Sequence, residues 1–338
     1  MGNYTRRAAL KRGTALGATV GLSGIAGCSS ILGGGDNSEL GFNFTVPIEN
    51  TGSLFDIPEI QDALPNVGDE YELNVSQDSA TTDSVNALAT GETDVILVAN
   101  VSYANTVLEE AVPSGLTTIA SGFGDAYPDH YGVTVYSLPD SDITNPEDLE
   151  GATLAVNTLG GGIYAVWMHQ LQQVGLTADD VEFVEQGFPT FAEGLRDGIF
   201  DAAIFPALFA TEARSEGFTE VFKSQDILDP YPHAFVASGN DVLDEKEDMI
   251  RTFLEDYQAL IDYVHDNRDK VVSLASEHFE MAEETVDAFY LLEEYDYYRG
   301  SAELDMDELQ YAIDLVSEVD AIDESFDVTE HATNEYLP

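Results

Sequence analysis

The chain has 338 residues, of which 44% are hydrophobic and 10% aromatic, and it carries 64 Asp and Glu against 12 Lys and Arg, for a net charge of -52 at neutral pH. That length suits about two domains with a sizeable core; the lack of a basic patch excludes nucleic acid as a partner, and acids scattered through apolar-periodic sequence exclude a disordered acidic tail. Self-repulsion at this charge would strain a compact fold in dilute salt, whereas at 1 M salt the Debye length falls to about 3 Å, so the charge is read as adaptation to near-saturated salt and not as a statement about a ligand.

The first forty residues read as an address. Thr5-Arg6-Arg7-Ala8-Ala9-Leu10-Lys11 resembles a twin-arginine export signal, with Arg6 and Arg7 as the pair. Residues 13–27 carry no charge and are rich in Gly and Ala. The run is too short for a membrane-spanning helix, which needs roughly 20 apolar residues, and it suits the apolar region of an export signal. It ends Ile25-Ala26-Gly27-Cys28, which looks like a lipobox, and Cys28 is the only cysteine. A free buried thiol is the plainer alternative, but the arginine pair and the Gly-Ala run favour a thioether-linked lipid on Cys28. Lipidation would anchor the chain to the outer face of the cell membrane. Residues 1–27 are thus the expected signal, and residues 28–40 the expected flexible polar tether.

From residue 42 strand-like and helix-like runs alternate. Phe42–Val46 predicts a strand, followed by the turn Thr51-Gly52-Ser53 and a helix. Tyr71–Ser76 predicts a strand and Thr81–Thr90 a helix closed by Gly91. Asp94–Ala99 reads as a buried strand of the parallel kind, then a helix from Ser102, and strands at Leu116–Gly122 and Tyr131–Ser137. The pattern restarts with Asn145-Pro146-Glu147-Asp148-Leu149, a capped short helix with Pro at its first position. A strand at Ala152–Asn157, a Gly-rich turn and a helix over Gly162–Val174 follow. Next come a strand at Val181–Glu185, a helix at Pro189–Asp197 closed by Gly198, a strand at Asp201–Phe205 and a helix at Pro206–Ser215. The last predicted strand is His233–Ala237, and Asp244–Val319 reads as helical. Two successive βαβ series imply an α/β chain with two lobes and mainly parallel sheets. The lobes also share a pattern. Leu88-Ala89-Thr90-Gly91-Glu92-Thr93-Asp94-Val95 and Leu195-Arg196-Asp197-Gly198-Ile199-Phe200-Asp201-Ala202 both read helix, Gly, two residues, Asp, strand.

These segments carry a resemblance. Val85 to Asp94, Asn145 to Val156, Val174 to Val181 and Gly198 to Ala202 together resemble the extracellular solute-binding proteins of ABC transporters. The group in question covers nitrate, taurine and alkanesulfonate binders and the binders of thiamine precursors. The resemblance spans roughly residues 42–240. It implies a two-lobed, type II periplasmic-binding-protein-like fold, with crossings near Val133–Ser137 and Ala234–Ser238. One lobe would be residues 41–134 with 238–338, including the C-terminal helices, and the other residues 135–237. It also implies a monomer working with a membrane permease, here from a salt-adapted source of the archaeal kind, without a cofactor or metal.

The position of a ligand follows from fold logic. In open α/β sheets ligands bind beyond the carboxyl ends of the strands, so two facing lobes would hold one between their strand-to-helix turns. The candidates are Thr51, Gly52 and Ser53; Ser79, Ala80 and Thr81; Asn100 and Ser102; Phe123; Asn157, Thr158, Gly160, Gly161 and Gly162; Gln186 and Phe188; and Phe205 and Pro206. The turn from Asn157 to Gly162 is the sharpest, because glycines that open a helix let backbone N–H groups approach a ligand, and the helix dipole favours an anion. No Gly-Lys-Ser/Thr follows, so it is not a nucleotide loop. The expected solute is a small anion such as a sulfonate, nitrate or carboxylate. Phe123, Tyr164, Phe188 and Phe205 could equally be core, and Trp167 is read as core. His130 and His233 are assigned to the crossings.

An enzyme is disfavoured. The six histidines are dispersed without metal-ligand spacing, no G-x-S-x-G elbow occurs, and Cys28 is committed to the lipobox. The same applies to an enzyme of thiamine-pyrimidine metabolism, which would need a reactive cysteine. A ligand-sensing lipoprotein and a TRAP-type binding protein remain as alternatives with the same kind of site.

Overall fold

The computed structural model describes residues 39–46, 48, 51–127, 132–292 and 301–338. Arg6, Arg7, Cys28, His130 and most of the expected tether lie outside the described residues. The first series comprises β1 (Glu39–Phe44), a 3-10 turn (Thr51–Asp56), α1 (Pro58–Gln61), β2 (Glu72–Gln77), α2 (Thr81–Thr90), β3 (Val95–Ala99), α3 (Asn100–Leu108) and β4 (Leu116–Asp125). The second comprises β5 (Val133–Ser137), β6 (Thr153–Val156), α4 (Gly162–Gln173), β7 (Glu182–Glu185), α5 (Phe191–Arg196), β8 (Ala202–Pro206), α6 (Ala207–Ser215) and β9 (Thr219–Lys223). Then follow β10 (Tyr231–Gly239), α7 (Asn240–Glu245), α8 (Glu247–Asp266), α9 (Arg268–His278), α10 (Glu283–Asp287) and α11 (Met306–Glu318).

The strands form two five-stranded sheets, ordered β2-β1-β3-β10-β4 and β7-β6-β8-β5-β9. In each sheet four strands run one way and a single strand, β10 or β5, runs against both its neighbours. The reversed strand is in each case the first one laid down after the chain changes sheets. This is the two-lobed α/β architecture of the type II kind, with mainly parallel strand direction.

The shared Gly-x-x-Asp pattern has one physical role in both lobes. Gly91 and Gly198 end their helices with φ of 75° and 66°, a conformation that a Cβ disfavours. Asp94 then exchanges bonds with the neighbouring parallel strand: its carboxylate accepts from Gly41 N–H at 2.9 Å, and its own N–H donates to Gly41 O at 3.1 Å. Asp201 does the same with Thr153, at 2.8 and 2.7 Å. Each Asp therefore clamps the start of a buried strand to its neighbour and fixes their register.

The C-terminal helices cover the first sheet. α8 buries Ile250, Phe253, Leu254, Tyr257 and Leu260, and the Phe253 ring lies 5.6 Å from Phe42 and 5.4 Å from Phe55. Each such ring contributes about 1.5–3 kcal/mol through burial. α11 packs on β10 and α3 and also touches α4 of the second lobe. The last residues run along β4, where Thr118 N–H donates to His331 O and Thr333 N–H to Thr118 O, both at 2.9 Å. Among the described residues no helix is long and apolar enough to cross a membrane.

Five expectations are corrected. Glu39 and Leu40, assigned to the tether, pair with Glu72 and Leu73 inside β1; burial of Leu40 explains why the strand starts early. Thr51-Gly52-Ser53 is a buried 3-10 turn and not an open loop. β9, absent from the sequence reading, is an edge strand on β5; its short alternating run TEVFK carries little signal until the sheet supplies a partner. The helical tail is interrupted between α10 and α11. Val133–Ser137 and Ala234–Ser238 each lie wholly within one sheet, so the chain changes lobes before these strands, and the expected divisions after residues 134 and 237 fall inside β5 and β10.

Candidate functional site

The carboxyl edges of the two sheets share one chamber of about 140 Å³. From the first sheet come Thr45 and Val46 after β1, Leu97, Ala99 and Asn100 at the end of β3, and Phe123 near the end of β4. From the second come Asn157 after β6, Gly162 and Ile163 at the start of α4, Phe188 after β7, and Pro206 closing β8. Val133, His233 and Ala234 lie at the starts of β5 and β10, which the reversed strand direction brings to the same edge. Thr81, at the start of α2, completes the lining. A larger depression of about 600 Å³ opens between Phe188, Phe209, Met281 and Thr285 and shares Phe188 with the chamber. The converging strand ends and polar groups single out the smaller space.

Asn100 holds the centre. It is fully buried; its Nδ2 donates to Pro232 O at 3.1 Å, and its Oδ1 accepts from Val101 N–H at 2.8 Å. These two bonds fix which end of the amide points where. A Cβ on Gly162 would lie 2.6 Å from Asn100 Oδ1. Glycine at 162 is therefore what lets the first turns of α3 and α4, one from each lobe, meet around that oxygen.

Behind the chamber, one carboxylate ties both connections between the sheets. Asp125 closes β4 and is 1% exposed. Its Oδ1 accepts from Ala126 N–H at 2.6 Å, from Gly132 N–H at 2.5 Å and from Ser224 Oγ at 2.7 Å. Its Oδ2 lies 3.3 Å from His233 Nε2. His233 stacks on Phe123, with centroids 5.3 Å apart and planes 17° apart, and meets Tyr231 edge-on at 4.7 Å. Burial pushes the Tyr231 phenol well above its ordinary range, so it stays neutral.

Of the residues expected at the site, Thr81, Asn100, Phe123, Asn157, Gly162, Phe188 and Pro206 line the chamber. The others do not. Gly52 is packed where a Cβ would meet Leu97 and Phe42 at 2.9 and 3.0 Å; Thr51 is buried beside it, and Ser53 Oγ accepts from Ile48 N–H. Ser102 stands behind Thr81, joined through their hydroxyls at 2.7 Å. Thr158, Gly160 and Gly161 form the outer part of their turn, where Leu159 N–H donates to Glu185 Oε1. Gln186 accepts from Thr190 Oγ1. Phe205 is core, against Tyr136 and Phe191 at 5.8 and 5.5 Å. Trp167 is core too, donating from Nε1 to Ala155 O. Thr45, Val46, Ile163, Val133 and Ala234 were missed. Thr45 and Val46 end a predicted strand and Ile163 lies in the first turn of a predicted helix, so these three were open to inference, whereas Val133 and Ala234 reach the edge only because their strands run backwards.

Among the described residues no Lys, Arg, Asp or Glu lines the chamber. Asn157 Oδ1 is buried there without a hydrogen-bond partner among the described residues. Among the described residues no group of three His, Cys, Asp or Glu side chains is arranged to hold a metal ion.

A family model described as "NMT1/THI5 like" matches residues 70–271. The chain belongs to that family. Solved structures with the same fold include the periplasmic aliphatic sulphonate binding protein SsuA of Escherichia coli, at TM-score 0.70 and 14% identity over 87% of this chain and 91% of that one. Another is the alkanesulfonate-binding protein SsuA of Xanthomonas axonopodis pv. citri, bound to MOPS, at TM-score 0.70 and 11% identity over 88% and 98% of the two chains. A third is the ligand-binding component of an ABC-type import system of Staphylococcus aureus, with zinc bound, at TM-score 0.71 and 12% identity over 88% and 97%. No curated protein matches the chain. At these identities the family member shares the fold with those proteins, and its chamber must be read from its own residues.

Proposed function

We propose that this chain is the solute-binding subunit of an ABC importer, carried outside the cell by the twin-arginine route and held to the membrane by a lipid on Cys28. A small molecule enters between the lobes, the lobes close about the Asp125 connections, and the closed form docks on a permease. The single observation behind this reading is the chamber formed by the carboxyl edges of both sheets, with Asn100 of one lobe against Gly162 of the other. A site built from two lobes makes binding and closure one event, because a ligand touching both favours the closed form by its extra contacts. Family membership and the shared fold support the reading, and the lipobox supports the anchor.

The decisive experiment is mass spectrometry of small molecules released by denaturing the purified protein, followed by calorimetry with the released solute. The expected result is one dominant solute whose binding raises the melting temperature. Protein that releases nothing and shows no thermal shift across a broad metabolite panel would sink the proposal. For the anchor, Cys28→Ser should move the protein from the membrane fraction to the medium; unchanged membrane retention would refute lipidation.

A further inference from the structure

We infer that the chamber is built for an uncharged solute that donates a hydrogen bond, because Asn100 already supplies the negative end that the facing helix starts would otherwise seek in an anion. The inference rests on the reading of the chain as a solute binder and narrows the class of solute.

Helices α2, α3, α4 and α6 all start at the chamber, and between the facing starts of α3 and α4 an anion would normally be drawn by free N–H groups and the helix dipoles. Here that position holds the Asn100 amide oxygen. It accepts from Val101 N–H in the first turn of α3 and lies against Gly162, the first residue of α4. The amide cannot swing aside freely: its Nδ2 is held by Pro232 O, and the residue is fully buried. A solute anion would have to displace this oxygen or lie beside it.

Among the described residues, His233 is the only side chain lining the chamber that can carry a positive charge. Arg196, Lys246, Arg251 and Arg268 pair with carboxylates elsewhere, and among the described residues no lysine or arginine lines the space. Asp125, buried behind His233, brings a carboxylate whose sign opposes an anion. Burying a charge without a partner is costly, whereas a neutral polar group needs only its hydrogen bonds. The Asn157 amide in the lining can supply such a bond, its Oδ1 being buried without a partner among the described residues. Its walls include Phe123, stacked on His233, and Phe188, which suit a flat apolar face. The solute is therefore small, uncharged, flat on one side, and carries an N–H or O–H.

The test uses full-length protein in molar sodium chloride and isothermal titration calorimetry with defined probes. These are 2-pyridone and 2-pyrrolidinone as uncharged N–H donors, N-methyl-2-pyridone as the donor-free control, and nitrate and methanesulfonate as anions. The wild type should bind the better N–H donor at least roughly tenfold more tightly than either anion, and N-methylation or Asn157→Ala should weaken that binding by about tenfold. Asn100→Ala, with Asn100→Ser in reserve should the first not fold, removes the occupying oxygen and should raise nitrate affinity above that of the wild type. An anion bound as tightly as the uncharged probes, or an anionic solute released from the purified protein, would overturn the inference while leaving the binding function intact. If no released solute and no probe binds, the solute-binding reading fails, and this inference with it.

Discussion

The contact between Asn100 and Gly162 allows the closure mechanism to be tested by one methyl group. In Gly162→Ala the new Cβ would lie 2.6 Å from Asn100 Oδ1 and 3.5 Å from its Cγ. The oxygen is the far end of a side chain, but it can retreat only by giving up its bonds to Val101 N–H and from Nδ2 to Pro232 O. Two hydrogen bonds at about 0.5–1.5 kcal/mol each set the cost at about 1–3 kcal/mol. Because the two residues belong to different lobes, that cost falls on the closed form alone. Solute affinity should therefore drop roughly 5- to 150-fold, while the ligand-free protein unfolds at an unchanged temperature. Gly161→Ala is the matched control. Its Cβ would meet only its own turn, with Thr158 O at 3.3 Å, and affinity should change less than about twofold. Calorimetry with the released solute and ligand-free thermal melts read both quantities. Equal affinity in wild type and Gly162→Ala, or an equal loss in the two variants, would refute the closure geometry.

Three further outcomes are expected. Asp125→Ala strands the Ala126 and Gly132 N–H groups and the Ser224 hydroxyl, so unfolding in urea should reveal a loss of at least about 3 kcal/mol, and a loss below about 1 kcal/mol would remove Asp125 as the tie between the lobes. Asp256 is fully buried, and burial raises its carboxyl above 3.8 against the opposing bonds from Tyr71 and Asn66. The folded state thus holds that proton more tightly than the unfolded chain, and stability falls as pH rises from 3.8 through the raised folded value. Asp256→Asn keeps an acceptor but cannot titrate, so the difference in melting temperature between variant and wild type should grow in the variant's favour between about pH 4 and 7; parallel curves would refute it. Finally, with a net charge of -52, lowering salt from 1 M to 10 mM lengthens screening from about 3 to about 30 Å. Circular dichroism should then show loss of fold without ligand, and an intact spectrum at 10 mM would refute salt adaptation.

Much of this protein was legible in its residues. The α/β series, the glycines that close α2 and α5, and the aspartates that open β3 and β8 all depend on local rules of backbone conformation and periodicity. Asn100, Phe123, Gly162, Phe188 and Pro206 could be placed because the carboxyl ends of strands form an edge wherever sheets are mainly parallel. The sequence by itself also set the charge and placed the single cysteine, Cys28, after an uncharged run. Tertiary structure alone decided strand direction and order, since β5 and β10 reverse only after the chain changes sheets, and that reversal brings Val133, His233 and Ala234 to the chamber. It decided that Thr51, Gly52 and Ser53 face the core, because burial of a turn depends on what folds over it. And it decided what faces the glycine turn. A glycine turn opening a helix signals an anion when read along the chain, but an amide oxygen from the other lobe stands against that helix start. No local pattern encodes which side chain arrives from the opposite lobe.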